Sequence, residues 1–174
     1  MLEAGEDPRF IARRIVIAAS EDVGMGDPTA LQTAVAAMHA VAQIGMPEAR
    51  IILAQAVVHN ALAPKSNAAY VGINEAIADV RAGKVGAVPV HLRGSGYAGA
   101  ERIKQASAKA SGGVKAKAYV YAHDEPDGVA AQQYLPDDLQ KAMQEHSYYR
   151  PTDRGFEARL QERWAWLRAR LGRG

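Results

Sequence analysis

The stretch that decides the fold is residues 27–62, DPTALQTAVAAMHAVAQIGMPEARIILAQAVVHNAL. It opens with Asp27-Pro28, a capping carboxylate followed by a proline at the first helical position, which is a common helix start. Apolar residues then recur at steps of three and four until a glycine, and this spacing predicts an amphipathic helix. From Pro47 to Ala63 apolar residues cover nearly every side of the next helix, which predicts that it is central and buried.

The same start signal occurs upstream, where Asp7-Pro8 predicts a helix that runs to about Val23 and stops at the next glycine. A fourth helix is expected after the boundary at residues 63–70, APKSNAAY, and it too ends at a glycine. Four helices joined by short turns predict an all-α core over residues 7–82, with neighbouring helices antiparallel.

An irregular insertion is expected over residues 83–128, because the stretch 85–99, VGAVPVHLRGSGYAG, has too many glycines and prolines for a regular element. A short helix is expected within it at 97–110. Residues 106–118, ASAKASGGVKAKA, are rich in Ala, Lys, Ser and Gly and predict a solvent loop. The stretch 103–118 is an insertion relative to the expected linker. Apolar and aromatic residues alternate over 118–122, which predicts a short strand or an extended strap laid over the helices.

C-terminal helices are expected in residues 129–172. One helix lies around LPDDLQKAMQ. The last is capped by Thr152 or Asp153 and carries an apolar stripe that includes Leu160 and Trp164. All 174 residues fit one domain of a size that buries its own core.

The composition narrows the class of protein. Hydrophobic residues make up 48% of the chain and aromatic ones 6%, which predicts a core of small aliphatic side chains. The absence of cysteine excludes disulfides, cysteine–zinc sites and a thiol nucleophile. No apolar run approaches the roughly 18 residues of a spanning helix. We therefore expect a cytoplasmic protein with no membrane partner, and the net charge of +2 gives no strong general attraction to nucleic acid.

The Lys65-Ser66 pair before the fourth helix suggests a phosphate site. A P-loop needs glycines that aim several backbone N–H groups at phosphate oxygens. The residues before Lys65 contain no glycine, and Pro64 lacks an N–H group. The favoured interpretation is therefore a helix stop at Pro64 and a new helix capped by Ser66 or Asn67.

Candidates for catalysis are weak. His59 lies in the apolar third helix, where a hydrogen-bonded structural histidine is the favoured interpretation. His123-Asp124 is the most suggestive cluster, since an acid beside an imidazole can set its tautomer and basicity. Neighbouring residues of an extended chain point to opposite faces, however, which favours a structural role there. The glycine-rich GSGYAG at 94–99 follows no confident strand, so a nucleotide loop has little support.

The last helix suggests a partner surface. Trp166 lies two residues after Trp164, about 200° around the helix, so both cannot face one core. Tryptophan is enriched at interface hot spots, which favours an oligomer interface at Trp166, with Tyr148 and Tyr149 nearby. The competing interpretation is a lone exposed tryptophan half covered by arginines.

A rival function is direct nucleic-acid binding. Four arginines of the last helix, together with the Lys-rich loop at 104–117, would contact phosphates. These arginines are Arg159, Arg163, Arg168 and Arg170.

Five stretches carry a family likeness: EAGEDPRFIARRIVIAASEDVGMGDPTAL, IGMPEARIILAQAVVHNALAPKSNAAY, VPVHLRG, YAHDEPDGVAAQQYLP and YYRPTDRGFEARL, in that order. Together they resemble the C-terminal region of the replication-associated recombination protein A family. These AAA+ ATPases are also called maintenance-of-genome-stability protein A and are similar to the eukaryotic Werner-helicase-interacting ATPase. The likeness covers nearly the whole chain.

The resemblance implies an all-α domain similar to the clamp-loader collar, which assembles homotetramers. It also implies that ATP and magnesium bind an N-terminal ATPase domain absent from this chain, so we expect neither catalysis nor a cofactor or metal here. The expected role is oligomerisation of an ATPase in replication-fork maintenance and recombination. Single-stranded DNA and single-stranded-DNA-binding protein are expected partners of the nucleoid-associated parent.

Overall fold

The structure, a computed structural model, describes residues 1–93, 119–145 and 147–172. Within these ranges the regular structure is helical, which confirms the all-α prediction. The α-helices are α1 (Pro8–Ala18), α2 (Pro28–Ile44), α3 (Ala49–Leu62), α4 (Ala68–Arg81), α5 (Asp137–Glu145) and α6 (Gly155–Arg170). The expected helix at 97–110, the loop at 106–118 and the GSGYAG stretch lie outside the described residues.

Both predicted Asp-Pro helix starts are confirmed. The Asp7 side chain accepts a 2.8 Å hydrogen bond from the Arg9 backbone N–H at the start of α1. Asp27 accepts one of 2.9 Å from the Thr29 N–H at the start of α2. The predicted end of the first helix near Val23 is confirmed, because α1 continues without a break into a π-helical turn at Ala19–Val23, which ends at Gly24. A 3₁₀ turn follows at Gly24–Gly26.

The chain divides into two compact units. Unit 1 comprises Met1–Ala76 and Tyr148–Trp164, and unit 2 comprises Ile77–Ser147 and Ala165–Gly174. A single domain over all 174 residues stays a prediction.

The core of unit 1 lies among α1, α2 and α3, which pack against one another. Most of its buried side chains are alanines, so the helices can approach closely. Larger aliphatic residues fill the space that remains. The buried residues are Ile11, Ala12, Ile15, Ala19, Val23, Ala30, Ala34, Ala37, Val41, Ala49, Leu53, Ala56 and Ala63.

The prediction that α3 is buried on all sides is wrong. Leu53 and Ala56 face the core, whereas Ile51, Val58 and Leu62 are 64%, 55% and 81% exposed. The physical reason is that α1 and α2 cover only one side of α3 in unit 1. Apolar composition makes a helix suitable for burial, but burial also needs a neighbour on every side.

Unit 2 contains α5, the C-terminal ends of α4 (77–81) and α6 (165–170), and irregular segments. Residues 119–121 form neither a helix nor a strand, and a 3₁₀ turn follows at Ala122–Asp124, so the predicted strand is not formed there. A strap laid over the helices stays a prediction. The side-chain amide of Gln132 replaces a strand partner: it accepts a 3.1 Å hydrogen bond from the Val120 N–H and donates one of 2.9 Å to the Val120 carbonyl.

No helix in the described ranges is both long enough and apolar enough to span a membrane.

Candidate functional site

The boundary between α3 and α4 is a structural junction. The Lys65 ammonium donates hydrogen bonds to the carbonyl oxygens of Asn60, Ala61 and Ala63, at 2.7, 3.2 and 2.5 Å. These are among the carbonyls that the C-terminal turn of a helix leaves without partners. A cation at that end also complements the helix dipole. The lysine charge therefore serves α3, in agreement with a helix boundary rather than a phosphate cradle.

Ser66 has two roles at this junction. Its side-chain oxygen accepts a 3.2 Å hydrogen bond from the Ala68 N–H, which confirms the predicted cap of α4. Its hydroxyl donates a 2.7 Å hydrogen bond to Glu157 at the start of α6. The backbone N–H of Ser66 lies 2.9 Å from the carbonyl of Asp22 and 3.2 Å from that of Val23. Ser66 thus connects three segments of unit 1.

Glu157 is fully buried and accepts hydrogen bonds from three residues. Besides Ser66, the Thr152 backbone N–H and hydroxyl donate to it at 2.8 and 2.7 Å, and the Tyr149 hydroxyl donates at 2.8 Å. A buried carboxylate without such donors would be costly, so these bonds are what make its burial possible. Sequence reasoning missed Glu157.

The protonation states at this junction follow from the contacts. Burial is the largest single influence on the Glu157 pKa and raises it, but the hydrogen bonds from Thr152, Ser66 and Tyr149 together bring the pKa below its ordinary value. Glu157 is therefore charged at neutral pH. Burial, followed by the hydrogen bond to Glu157, raises the pKa of Tyr149, which keeps its hydroxyl a donor.

Glycines let the backbones meet at the junction. Gly155 has a φ of +55°, and a Cβ added there would lie 2.7 Å from the Pro64 Cβ. A Cβ on Gly26 would lie 2.6 Å from the Pro64 carbonyl oxygen. Such contacts are too short for any side chain, so glycine is required for this packing.

The tyrosines predicted at the oligomer interface lie within unit 1. The rings of Tyr149 and Trp164 form an edge-to-face pair with centroids 5.5 Å apart. Tyr148 is half-buried, and its carbonyl oxygen would lie 2.8 Å from a Cβ added to Gly72. Trp166, in unit 2, is half-buried as well. An interface role for Trp166, Tyr148 and Tyr149 stays a prediction.

His59 makes the structural contact that its position predicted. Its Nε2 lies 2.9 Å from Oδ2 of Asp27, the residue that caps α2. The Thr29 hydroxyl donates a 2.6 Å hydrogen bond to Asp27, and its oxygen lies 3.4 Å from Nε2 of His59. Thr29 and then His59 lower the pKa of Asp27. The contacts among Asp27, Thr29 and His59 connect the start of α2 to the end of α3.

His123 shows no catalytic arrangement. It is exposed, and its ring lies 5.0 Å from that of Tyr121 between centroids. Nowhere in the described part of the chain do three or more His, Asp or Glu side chains cluster as metal ligands would.

The arginines predicted to contact DNA differ in their surroundings. Arg159 and Arg163 are exposed on α6, whereas Arg168 and Arg170 are half-buried. An ion pair of 3.5 Å joins Arg170 to Glu125 in unit 2. DNA contact by these residues stays a prediction, and the Lys-rich loop lies outside the described residues.

The outer face of α3 is an exposed and largely apolar surface of unit 1. It consists of Ile51, Ala54, Gln55, Val58, Ala61 and Leu62, all of which are exposed. At 100° per residue these side chains share one side of the helix, opposite the core residues Leu53 and Ala56. None of these six residues is charged, and the exposed Arg50 lies at the edge of the face, about 20° around the helix from Ala61. The sequence could have indicated this exposed face, because α3 has more apolar side chains than the two neighbouring helices can cover.

Comparisons with known proteins identify the family of this chain. The family model described as "MgsA AAA+ ATPase C terminal" matches residues 1–168. An uncharacterized AAA domain-containing protein of Mycobacterium tuberculosis is 53% identical over 169 residues, which cover 97% of this chain and 34% of that protein. Replication-associated recombination protein A of Bacillus subtilis is 41% identical, over 93% of this chain and 35% of the relative.

The Escherichia coli protein of the same name is 40% identical, over 96% of this chain and 34% of its own length. The chain therefore spans about one third of the length of these relatives. Since the family model covers residues 1–168 of 174, the chain belongs to the MgsA AAA+ ATPase C-terminal family.

Proposed function

We propose that this chain is a non-catalytic self-association module that joins the subunits of a AAA+ ATPase into a homotetramer. The observation that carries this proposal is the exposed outer face of α3. Ile51, Val58 and Leu62 form an aliphatic stripe on it, and full burial of each side chain is worth about 1.5–3 kcal/mol. A stripe of this kind on a short helix is typical of a protein interface.

The face suits a second copy of the same chain. In a two-fold symmetric dimer both partners use the same surface. A charged residue on that surface would therefore lie close to a residue of the same charge on the partner. The outer face of α3 carries no charge, and its alanines, Ala54 and Ala61, allow two helices to approach closely. These features support an α3–α3 contact.

A tetramer needs a second surface. A tetramer with dihedral symmetry uses more than one two-fold interface. In unit 1, α4 also exposes apolar residues, since Tyr70 and Ile73 are 47% and 57% accessible. We propose that these residues contribute to the second contact.

The proposed role in the cell is to keep ATPase modules close together. Joining modules in one assembly raises their effective concentration near one another without any new contact between them. The relatives named replication-associated recombination protein A support a role in replication and recombination. ATP and magnesium would then bind another part of the parent, in the cytoplasm near the nucleoid. Single-stranded DNA and single-stranded-DNA-binding protein would be partners of that parent.

The test is the mass in solution over a micromolar concentration series, measured by light scattering. We expect the unaltered chain to form tetramers and Val58→Glu to form smaller species, because a carboxylate would be buried at the contact. Ile17→Glu is the matched control, since Ile17 is an exposed isoleucine on α1, off the outer face of α3. A monomer at every concentration would refute self-association. An unchanged mass for Val58→Glu would exclude α3 as the contact.

The rival function, direct DNA binding, has one supporting observation: Arg159 and Arg163 are exposed one turn apart on α6. Phosphate contacts would make affinity for labelled single-stranded DNA fall steeply as salt rises. Binding that weakens in this way, and that an Arg159→Gln/Arg163→Gln double variant loses, would support the rival. If no salt-sensitive binding of single-stranded DNA is found, the rival is excluded and self-association stays the proposed function.

A further inference from the structure

The outer face of α3 alternates large and small side chains. Ile51 and Val58 are seven residues apart, and so are Ala54 and Ala61. All four are exposed. A spacing of seven brings a side chain back to nearly the same side of a helix, within about 20°. One edge of the face is therefore built from branched aliphatic residues and the other edge from alanines.

This alternation fits a second α3 that runs in the opposite direction. The residue number rises along one helix of an antiparallel pair and falls along the other. A register that sets Ile51 opposite Ala61 of the second copy therefore also sets Val58 opposite Ala54. Large and small side chains then share each layer, which is how two packed surfaces interdigitate. Leu62, which is 81% exposed, follows Ala61 and would cover Ile51 of the second copy.

Other arrangements of two α3 helices fit this face less well. A parallel pair sets each residue opposite its own copy, so Ile51 would meet Ile51 and Ala54 would meet Ala54. Wide and narrow layers would then alternate, and the gaps left at the alanine layers are costly. An antiparallel pair shifted by seven residues keeps only half of the layers that combine a large with a small residue, because the other positions pass the end of the helix.

The charges at the ends of α3 also favour the antiparallel direction. The exposed Glu48 lies just before the helix, and the exposed Lys65 lies just after it. An antiparallel pair brings Glu48 of one copy close to Lys65 of the other, and it sets the two helix dipoles in opposite directions. It also separates the two Arg50 side chains to opposite ends. A parallel pair would bring each of these charges beside a like charge.

On the basis of the proposed self-association, we propose that α3 pairs with α3 of a second copy in the antiparallel direction, with Ile51 opposite Ala61 and Val58 opposite Ala54. Each layer of the contact consists of one branched aliphatic side chain and one alanine. This pairing forms one of the two-fold contacts of the tetramer.

Cysteine crosslinking tests the register, because the chain has no cysteine and each introduced thiol is unique. Ile51→Cys and Ala61→Cys chains, one of them with a tag that changes its size, are co-expressed and treated with a short bismaleimide. We expect a crosslinked dimer of one tagged and one untagged chain. Each variant alone should stay uncrosslinked, because its two thiols would lie about 15 Å apart along the pair, too far for the reagent.

The outcomes separate this register from self-association itself. Crosslinking of Ile51→Cys alone, or none between Ile51→Cys and Ala61→Cys, would overturn the register if light scattering shows the sample to be oligomeric. Self-association would then still stand. A monomer at every concentration would overturn both proposals.

An exchange of side-chain sizes tests one layer. Ala54→Val would set two valines against each other and Val58→Ala two alanines, so each change should weaken association about ten-fold. The double variant Ala54→Val/Val58→Ala again has one large and one small residue in the layer and should recover most of the affinity. Ala54→Val/Val57→Ala is the matched control, because it changes the composition equally and Val57 is likewise exposed on α3, at 48%. Equal association of the two double variants, measured by light scattering over a concentration series, would overturn the pairing of Val58 with Ala54.

Discussion

The Ser66 hydroxyl donates a 2.7 Å hydrogen bond to the fully buried carboxylate of Glu157, which lies 91 positions later in the chain. This bond, with those from Thr152 and Tyr149, holds the start of α6 against the boundary between α3 and α4. The APKSNAAY stretch is therefore a junction. Its lysine donates hydrogen bonds to the last carbonyls of α3, and its serine contacts the starts of both α4 and α6.

Glu157→Gln should lower the free energy of unfolding by about 1.5–3 kcal/mol. The amide has one oxygen where the carboxylate has two, so a charged hydrogen bond is lost and one buried donor faces an NH₂ group. Urea denaturation at neutral pH measures the change. Glu162→Gln on the exposed side of the same helix is the control, with an expected change within about 0.5 kcal/mol. Similar stabilities for the two variants would contradict the structural role of Glu157.

The stability of the fold should decline in acid. The pKa of Glu157 in the folded chain lies below its ordinary value of 4.5, and that of Asp27 lies below 3.8. The unfolded chain therefore takes up protons first, so the contribution of each group is complete above those ordinary values and is lost as pH falls through the folded pKa. Urea midpoints measured from pH 7 down to about 3 check this. Glu157→Gln should show a smaller decline than the unaltered chain, and a decline of equal size would show that other carboxylates dominate.

Gly155→Ala should be more destabilising than Gly5→Ala. Both glycines have positive φ, at +55° and +86°, so both substitutions carry a backbone cost of about 1–2 kcal/mol. Only at Gly155 would the new Cβ also collide with Gly26 and Pro64, whereas Gly5 has open space around it. Thermal unfolding of the two variants separates the collision from the backbone cost. Equal losses of thermal stability in the two variants would mean that Gly26 and Pro64 move away from the new Cβ at little energetic cost.

Asp27→Ala should be more destabilising than Asp7→Ala. Both residues cap a helix in an Asp-Pro sequence, and loss of such a cap costs about 1 kcal/mol. Asp27 also lies 2.9 Å from His59, so its loss removes a second contact. A double-mutant cycle of Asp27→Ala with His59→Ala measures that contact, and a coupling energy near zero would show that the cap alone accounts for the effect.

Local features of the fold could be predicted from sequence because their causes lie within a few residues. The Asp-Pro pairs predicted the starts of α1 and α2, and Ser66 was one of two predicted caps for α4. A helix start depends on the side chain and backbone of adjacent residues, so a short window contains the information. The assignment of the chain to an all-α family followed from the same local patterns together with the likeness.

The candidate site could be predicted only in part. The composition of α3 marked it as a helix with excess apolar surface, but the sequence placed that surface in the core. Glu157 gave no signal at all, because a glutamate in the first turn of a helix is ordinarily exposed and favoured there by the helix dipole. Its burial depends on Ser66, Thr152 and Tyr149 reaching it together.

By itself the sequence determined that this chain is helical and where most of its helices begin, since those properties depend on hydrogen bonds and periodicities within one or two turns. Only the tertiary structure decided which sides of those helices are covered. Covering a side takes a neighbour brought from elsewhere in the chain, and α1 and α2 leave Ile51, Val58 and Leu62 of α3 in solvent.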